Sequence, residues 1–356
     1  MQATANLSSE ERRLPFVAIQ IPLVARDRLL GAGPLLFGIV LWCGTWAVPS
    51  PARSATPEPP PGISASATTG DTPEVLVQAA EPKYVAPTLR DRIGRIWAPV
   101  LINGKGPFRL VLDTGASHSA ITSRVADSLG VVAESDSILV RGVTGSAVVP
   151  AVRVERMEVG DLLIEPSILP IVADVFGGAE GVLGREGLPD KRIFADFGRD
   201  RLIISRSHRE KAQAGFISVP LKLMRGGLLT AEVRVGSIRA HAIIDTGGQQ
   251  TVGNLALREA LMRRPPKDAV SQDIVGVTLD LQHGDTIAAP PIEIGSLLLR
   301  QVRVTFVDMF LFEHLQLTHE PTLMVGMDVL GSFDVLIIDY SMREMQIRTR
   351  GSIFSH

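Results

Sequence analysis

The chain has 356 residues and a formal net charge of −2. Roughly two domains fit this length, and the near balance of charge argues against a nucleic acid or another polyanion held by bulk charge. Aromatic residues make up only 5% of the chain, whereas glycine (33) and proline (24) are plentiful, which favours a turn-rich β protein over a helical bundle. The single cysteine, Cys43, excludes an intrachain disulfide and a CxxC metal knuckle.

An apolar run at residues 29–48 is the first recognisable element. It contains no charged residue and follows Arg26 and Arg28. About 20 apolar residues span a bilayer and a secretory signal needs about 7–15, so the run predicts a retained anchor, with a cleaved signal peptide as the alternative. The basic residues before it predict that residues 1–28 are cytoplasmic and that the bulk of the chain is not. We therefore expect an extracytoplasmic protein, periplasmic or secreted, which an uncleaved run would anchor to the inner membrane.

Residues 49–85 differ from this run in composition. They are rich in proline, alanine, serine and threonine and poor in aromatic residues. Such a segment buries too little apolar surface to fold, so we expect a disordered linker between the membrane and the folded part.

Two copies of one tripeptide organise the rest of the chain. Asp113-Thr114-Gly115 follows the mainly apolar Phe108–Leu112, and Asp245-Thr246-Gly247 follows Ala242–Ile244. In each copy a predicted strand brings an aspartate into a turn that the glycine makes possible. One such tripeptide arises easily by chance, so the weight rests on the residues that recur around both copies.

Five landmarks recur in the same order around the two aspartates, with offsets that change little until a longer insertion in the second copy. Glycine-centred hairpin turns are followed by an apolar-apolar-Gly motif and by an apolar strand that carries an Asp and an aromatic residue. The matched pairs are Gly104 and Gly236, Gly142 and Gly276, Gly160 and Gly295, Gly184 and Gly326, and Asp196 and Asp339. The chain is therefore predicted to contain one β-rich unit twice, in a first half of residues 86–207 and a second half of residues 215–350.

Helical segments are predicted to be few. Residues 119–129 and 255–263 carry helix formers after each tripeptide, and a glycine and a proline end them. Residues 185–188 and 328–330 are predicted as helical pieces of one turn or two.

These motifs resemble those of retropepsin-like and pepsin-like aspartic proteases. An apolar-apolar-Asp-Thr-Gly turn, a glycine-bearing flap hairpin and an apolar-apolar-Gly-(Arg/Met)-(Glu/Asp)-x-Leu motif are together similar to one retropepsin lobe. Gly184-Arg185-Glu186 is similar to the retroviral pattern, and Gly326-Met327-Asp328 to that of cellular and bacterial relatives. The resemblance implies a mostly β, bilobal acid-protease fold, with two homologous β-barrel-like lobes and short helices in one chain.

The resemblance also implies a role for each residue of the site. Asp113 and Asp245 would form a catalytic dyad that shares one proton and activates a water between them. Active-site support, including threonine hydroxyls that interlock the two turns, would come from Thr114, Gly115, Thr246 and Gly247. Flaps over an extended polypeptide substrate would lie at residues 141–146 and 276–284, with substrate contacts from Gly142, Val143, Thr144, Gly145, Gly276, Val277 and Thr278. Gly184 and Gly326 would be structural, and neither a cofactor nor a metal is implied.

The sequence departs from the family pattern beside both aspartates and in the flaps. Ala116 and Gly248 stand where pepsin-like enzymes have Ser or Thr. Without a hydroxyl there the dyad should hold its proton to higher pH, so we expect an optimum nearer neutral than that of pepsin. Neither flap contains a tyrosine, because the two tyrosines are Tyr84 and Tyr340, so flap gating would follow the retropepsins. The less typical residues after the second tripeptide leave open that the second half is catalytically weakened.

Other polar residues are interpreted as structural. Asp196 and Asp339 each precede a turn, and His118 reads as an exposed surface residue, because the second half has no matching histidine. His314 and His319 have poor spacing for a metal site. A cluster of basic residues is interpreted as the solvated end of a helix and not as a nucleic-acid site. The cluster consists of Arg258, Arg263, Arg264 and Lys267.

The sequence thus predicts a monomeric aspartic endopeptidase with one catalytic aspartate from each half. Two rivals stay open. Like halves of two chains could pair and form a homodimer with two sites. Alternatively, the same fold could be a non-catalytic peptide-binding or scaffold protein, although such a protein has no need of a carboxylate pair.

Overall fold

The computed structural model describes residues 17–20, 35–36, 84–87, 94–131, 137–159, 162–165, 167–262 and 269–349. Residues 44–81 lie outside the described residues. The predicted cytoplasmic segment, anchor and linker also lie outside them, apart from two short strands and the start of a third. Within the described ranges, no helix combines the length and the apolar character needed to cross a bilayer.

Strands dominate the described chain, and the prediction of a mostly β protein is confirmed. Three short strands come first: β1 Val17–Gln20, β2 Leu35–Leu36 and β3 Tyr84–Pro87. The next twelve are β4 Trp97–Ile102, β5 Lys105–Leu112, β6 Ala120–Thr122, β7 Ile138–Arg141, β8 Ser146–Val149, β9 Ala151–Val154, β10 Met157–Val159, β11 Leu162–Ile164, β12 Ser167–Val172, β13 Gly181–Leu183, β14 Lys191–Asp196 and β15 Arg201–Arg206. Helix α1, Ser123–Leu129, follows β6.

The second half continues the numbering. Its strands are β16 Ile217–Pro220, β17 Lys222–Leu223, β18 Leu229–Val235, β19 Ile238–Ile244, β20 Val252–Gly253, β21 Val270–Val275, β22 Leu281–Ala288, β23 Ile292–Ile294, β24 Leu297–Arg300, β25 Arg303–Phe306, β26 Thr322–Val325, β27 Val335–Asp339 and β28 Glu344–Arg348. Its helices are α2 Leu255–Leu261, α3 Phe310–His314 and α4 Met327–Leu330, and a 3-10 turn spans Arg225–Gly227.

Three sheets and one hairpin arrange these strands. The first half forms a sheet of order β11-β10-β4-β5-β13-β6-β12-β9, with β7-β8 as a separate hairpin. The second half forms β24-β23-β18-β19-β26-β20-β25-β22-β21, which β1 and β2 extend at its two ends and to which β17 adds beside β18. Both halves contribute to a six-stranded sheet, β16-β28-β27-β14-β15-β3, in which β14 pairs antiparallel with β27. The halves are therefore joined by main-chain hydrogen bonds as well as by the linking residues 208–214.

Equivalent parallel strand pairs position the two tripeptides. β13 runs parallel to β5, and β26 runs parallel to β19. The pairing continues into the turns, because Asp113 N donates to Leu183 O (3.0 Å) and Asp245 N donates to Val325 O (3.1 Å). Each aspartate therefore leaves its sheet beside the glycine that follows the neighbouring strand.

The predicted hairpin turns lie where the sequence placed them, as far as the structure describes them. Gly104 joins β4 to β5, Gly236 joins β18 to β19, and Gly295 joins β23 to β24. Gly104, Gly236 and Gly295 have φ of +74°, +57° and +59°, values that favour glycine. Gly160, between the paired strands β10 and β11, lies outside the described residues.

The helix predicted over residues 119–129 is wrong in its first turn. Residues 120–122 form β6, and α1 begins only at Ser123. All three residues of β6 are buried and pair with β12 or β13. Tertiary strand pairing thus overrides the local preference.

The other helix predictions are only partly confirmed. The helix predicted over residues 255–263 is observed as α2, but it ends at Leu261, because Met262 is already extended, and residue 263 lies outside the described part. Residues 185–188 form a turn, closed by Leu188 N donating to Arg185 O (2.9 Å), and not a helix. Residues 328–330 belong to α4, and α3 lies in an apolar run for which the sequence predicted no helix.

Candidate active site

The aspartates of the two tripeptides lie side by side. Asp113 and Asp245 are both 0% exposed. A Cβ atom added to Gly115 would lie 2.9 Å from Asp245 Oδ1 and 3.1 Å from Asp113 Oδ1. One added to Gly247 would overlap the Asp113 carboxyl group. The two carboxyl groups therefore occupy the space that the two glycines leave.

A reciprocal lock between the tripeptide threonines holds the turns together. Thr114 N donates to Thr246 Oγ1, and Thr246 N donates to Thr114 Oγ1, each over 3.1 Å. Each hydroxyl also donates across to the opposite strand: Thr114 Oγ1 to Ile244 O (2.8 Å) and Thr246 Oγ1 to Leu112 O (2.7 Å). Because all four bonds are buried and cross between the halves, the lock fixes one aspartate relative to the other.

The two carboxyl groups receive unequal hydrogen bonding. Asp113 Oδ1 accepts from Gly115 N (2.8 Å) and Ala116 N (3.0 Å). Asp245 Oδ1 accepts from Gly247 N (2.9 Å). Amide hydrogen bonds favour the ionised form of a carboxyl group, and each aspartate accepts them within its own turn.

Burial is the main influence on the proton affinity of Asp245. Asp245 Oδ2 is buried and accepts no hydrogen bond of normal geometry within the described chain. Gly248 stands beside it, and a Cβ atom there would lie 2.8 Å from Oδ2. Burial raises the pKa of Asp245, while the Asp113 side chain, the amides of Gly247 and Gly248 and the charge of Arg95 oppose the rise. The raised pKa favours a protonated Asp245.

Each tripeptide turn rests on a matched polar pair that the sequence analysis missed. In the first half Ser119 Oγ accepts from Gly184 N (3.0 Å), and Ser119 N donates to Glu186 Oε1 (2.7 Å). In the second half Thr251 Oγ1 accepts from Gly326 N (3.3 Å) and donates to Asp328 Oδ1 (2.8 Å). The signal was present, because each hydroxyl lies six residues after its aspartate and each acid lies two residues after its glycine.

Gly184 and Gly326 lie at close approaches of the main chain. A Cβ atom on Gly184 would overlap the main chain of His118, and one on Gly326 would lie 2.6 Å from Gln250 O. Both positions therefore exclude a side chain, which agrees with their expected structural role.

The predicted flaps are two hairpins whose tips cross. The first tip, residues 142–145, joins β7 to β8, and the second tip, residues 276–280, joins β21 to β22. Residues 281–284, which were expected in the second flap loop, belong to β22. Gly276 N donates to Thr144 Oγ1 (3.2 Å), which also lies 3.4 Å from Thr278 Oγ1.

Close packing accompanies these bonds between the tips. A Cβ atom on Gly142 would lie 3.2 Å from Val277 Cγ2, and one on Gly145 would overlap the Asp280 carboxyl group. Glycine therefore allows each strand of the first tip to pass against the second tip.

The tips exchange apolar side chains between the halves. Val143 is 0% exposed and packs in a cluster whose other buried members come from the second half, among them Leu228, Ile243 and Met324. Val277 packs in a cluster of first-half residues that includes Ala116 and Phe176. Each tip thus packs against apolar residues of the opposite half, and both aspartates are fully buried.

A further segment of the second half donates a main-chain hydrogen bond to the first flap tip. We call residues 309–317 the latch segment; it contains α3 and follows β25. Leu311 N donates to Val143 O (3.2 Å), and the buried side chains of Met309, Leu311, Phe312, Leu315 and Leu317 share the Val143 cluster. For Val277, the described residues provide no matching main-chain hydrogen bond.

The remaining candidates lie apart from the dyad chemistry. Asp196 Oδ1 accepts from Arg199 N and Asp339 Oδ1 from Met342 N, each over 2.9 Å, so both aspartates close turns. His118, expected to be exposed, is partly buried and lies 3.0 Å from Ser117 Oγ through Nδ1. The described residues contain no group of three His, Cys, Asp or Glu side chains arranged for a metal ion. Arg263, Arg264 and Lys267 lie outside the described residues.

Comparison with known families bears on the first half. A family model described as aspartyl protease matches residues 98–187. The match spans the first Asp-Thr-Gly, the first flap and Gly184, and it supports a peptidase of the aspartic type. The mostly β architecture with curled sheets is compatible with a fold of that kind. No curated protein matches the chain.

Proposed function

We propose that this chain is an aspartic endopeptidase that uses Asp113 and Asp245, one from each half. The threonine lock is the observation that carries the proposal, because it holds two mutually repelling carboxyl groups beside each other without exposing them to water. The aspartyl protease match supports the assignment for the first half. The equivalent strand pairing and turn support it for the second half.

The proposed reaction depends on one proton shared by the pair, since two adjacent carboxyl groups do not both ionise readily. Asp113, with two amide donors, acts as the base and takes a proton from the bound water, whose oxygen attacks the scissile carbonyl carbon. Protonated Asp245 gives its proton to the carbonyl oxygen, which yields a tetrahedral diol. The C–N bond then breaks as Asp113 returns its proton to the leaving nitrogen and a diol hydroxyl reprotonates Asp245.

The proposed substrate is a polypeptide in extended conformation between the dyad and the flap tips. Strand-like peptides are recognised through main-chain hydrogen bonds at hairpins and sheet edges. In this proposal main-chain groups of flap residues 142–145 and 276–278 make these hydrogen bonds once contacts between the tips, such as Gly276 N to Thr144 Oγ1, have opened. Because both aspartates are fully buried beneath the tips, the flaps must lift before a peptide enters.

The pH dependence follows from the surroundings of Asp245. Its raised pKa and the unbonded Oδ2 beside Gly248 both favour a retained proton at mildly acidic pH. We therefore propose an optimum nearer neutral than that of pepsin. A profile of kcat/KM that peaks below about pH 3 would contradict this.

We propose that the enzyme works as a monomer outside the cytoplasm. The lock within one chain supports the monomer, because it completes the pair without a second copy. The apolar run at 29–48, with basic residues before it, supports an extracytoplasmic location. Insertion of this run in a membrane requires that β1 and β2 separate from β24 and β21, with which they pair in the structure. Mass measurement in solution tests the first point, and cell fractionation of the full chain tests the second.

The test of function is cleavage of a mixed peptide library by the full chain from pH 3 to 8. Asp113→Asn and Asp245→Asn are compared with Asp127→Asn, which changes an exposed carboxylate on α1. We expect the parent and Asp127→Asn to cut and both dyad variants to be inactive. Loss of activity in Asp113→Asn alone would favour pairing of like halves in a homodimer. Peptide binding without cleavage at any pH would favour the non-catalytic alternative.

A further inference from the structure

Arg95 is the largest fully buried side chain in the described part of the chain. It is 1% exposed, although arginine is rarely buried without a compensating interaction. Its Nη2 donates to Phe176 O (2.5 Å), and Phe176 belongs to the first-half cluster that receives Val277 from the second flap. The chemistry proposed above makes no use of this guanidinium.

The main chain places Arg95 beside the strand that ends at the dyad. Ile96 O, in the next residue, accepts from Leu112 N (2.9 Å), and Leu112 immediately precedes Asp113. The main chain of Arg95 is therefore next to the strand that leads into the first tripeptide turn, and its guanidinium is bonded to Phe176, whose cluster includes Ala116 and Val277.

Strand register identifies the counterpart of Arg95 in the second half. Trp97 lies opposite Val111, two residues before Asp113, and Thr230 lies opposite Ile243, two residues before Asp245. Trp97 and Thr230 are therefore equivalent positions. Arg95 lies two residues before Trp97 and Leu228 lies two residues before Thr230, so Leu228 is the counterpart of Arg95. The second half thus has an apolar, fully buried leucine where the first half has a buried cation.

We propose that Arg95 is a positioning residue for the dyad: its buried guanidinium offsets the missing hydroxyls beside the aspartates and keeps the pair singly ionised. The proposal rests on the proposed function and deepens it. An ionised carboxyl group in a buried site needs a nearby opposite charge or several hydrogen bonds. Ala116 and Gly248 supply amides but no hydroxyl, whereas Arg95 supplies charge.

The other charged groups around the dyad leave this role to Arg95. The Arg95 charge lowers the pKa of Asp245 against the larger effect of burial. On the Asp113 side the buried Tyr340 hydroxyl has its pKa raised, mainly by burial, while Arg185 opposes the rise and Asp113 adds to it. The Arg185 guanidinium donates to Gly226 O in the second half, and its charge is not among those that lower the pKa of Asp245, whereas that of Arg95 is.

Three variants of the full chain separate charge from shape. Arg95→Leu introduces the residue that the matched position carries, Arg95→Met is a longer apolar substitute should leucine prevent folding, and Arg95→Lys keeps the charge. On a peptide that the parent cleaves, we expect both limbs of the kcat/KM profile to move up by roughly one pH unit in Arg95→Leu or Arg95→Met. Arg95→Lys should leave the profile within a few tenths of a unit. If Arg95→Lys behaves like the apolar variants, or none shifts the profile, the proposal is wrong.

A second readout needs no catalysis, so it separates failure of this proposal from failure of the proposed function. Removing the cation should make the native protein hold the dyad proton to higher pH, so the urea midpoint should fall more between pH 4 and pH 7 than in the parent. In an Asp245→Asn background that additional fall should largely disappear. If it persists there, Arg95 acts through packing, and the proposal is overturned even when the parent is an active peptidase.

Discussion

The two halves share one framework around the dyad but differ in what surrounds it. Both place an aspartate at the end of a strand, lock it through a threonine and rest the turn on a hydroxyl–acid pair. The first half adds a second amide donor on Asp113 and a buried Arg95, whereas the second half has an apolar Leu228 and supplies the latch segment. The comparison shows that a repeated framework can fix geometry equally while its surroundings make the two carboxyl groups and the two flaps unequal.

The largest expected effect comes from adding one methyl group at each tripeptide glycine. In Gly247→Ala the new Cβ would overlap the Asp113 carboxyl group, whose main chain the lock prevents from moving away. Displacement of a catalytic group by about 1 Å costs on the order of 100-fold, so we expect at least that loss in kcat/KM. In Gly115→Ala the nearest carboxyl oxygen is 2.9 Å away, and a loss of about tenfold is expected.

Peptide cleavage assays on the two glycine variants, with urea unfolding as a control for folding, check this order. Equal losses of kcat/KM in the two variants would show that the closer approach of Gly247 to Asp113 has no effect on activity.

We expect the threonine of each half to contribute equally to the stability of the protein. Thr114→Val and Thr246→Val each leave an amide and a carbonyl of the opposite turn without a partner in a buried site. Each orphaned group costs about 1–3 kcal/mol, so both variants should lose about 2–6 kcal/mol of unfolding free energy. Thr→Ser at the same positions keeps the hydroxyl and serves as the matched control. A loss well below 1 kcal/mol in one variant would mean that the halves are not equally locked.

Sequence comparison of the halves succeeds where spacing is conserved. Gly104 and Gly236 keep equal offsets from the two tripeptides and the later glycines drift by only a few residues, so the hairpins and the turns could be placed in advance. It fails for the start of α1, because residues 120–122 pair as a strand with partners that are distant in sequence.

Arg95 shows that two residues at the same sequence distance from their aspartates need not occupy equivalent positions in the structure. Counted from the aspartates, Arg95 corresponds to Gly227, but a register shift between Val100 and Ile102 in β4 makes Leu228 its counterpart. The contrast between a buried cation and a leucine was therefore invisible before the strand register was known.

The latch segment could not be predicted from the repeat because it has no counterpart in the first half. Its role depends on contact with Val143, a residue of the other half that lies far away in sequence.

Variants in the two flap tips test whether the latch segment acts on the first tip only. Val143→Ala should cost about 2 kcal/mol from lost burial and speed exchange of the Leu311 amide, which donates to Val143 O. Val277→Ala removes a similar apolar volume but should leave exchange at Leu311 unchanged. Hydrogen exchange read by mass spectrometry over residues 309–317 measures both. Faster exchange at Leu311 in Val277→Ala would show that the tips move as one unit.

The smallest expected effect concerns the pH dependence of stability at the two aspartates. The pKa of Asp245 is raised in the folded protein, chiefly by burial, so the native state binds more protons than the unfolded chain above about pH 4. The stability that this proton contributes is present at low pH and is lost as the pH rises through the folded pKa. Asp245→Asn removes the titration, so its unfolding free energy relative to the parent should improve from pH 4 to pH 7.

Urea unfolding of the parent and of Asp245→Asn at several pH values between 4 and 7 measures this linkage. Asp113→Asn is the matched comparison, and it should gain less with rising pH, because the two amide donors on Asp113 favour its ionised form. A larger gain in Asp113→Asn than in Asp245→Asn would reverse the assignment of the proton. Asp113 would then be the acid of the pair and Asp245 the base. The differences between the surroundings of the two aspartates would then have the opposite effect on their protonation from the one inferred here.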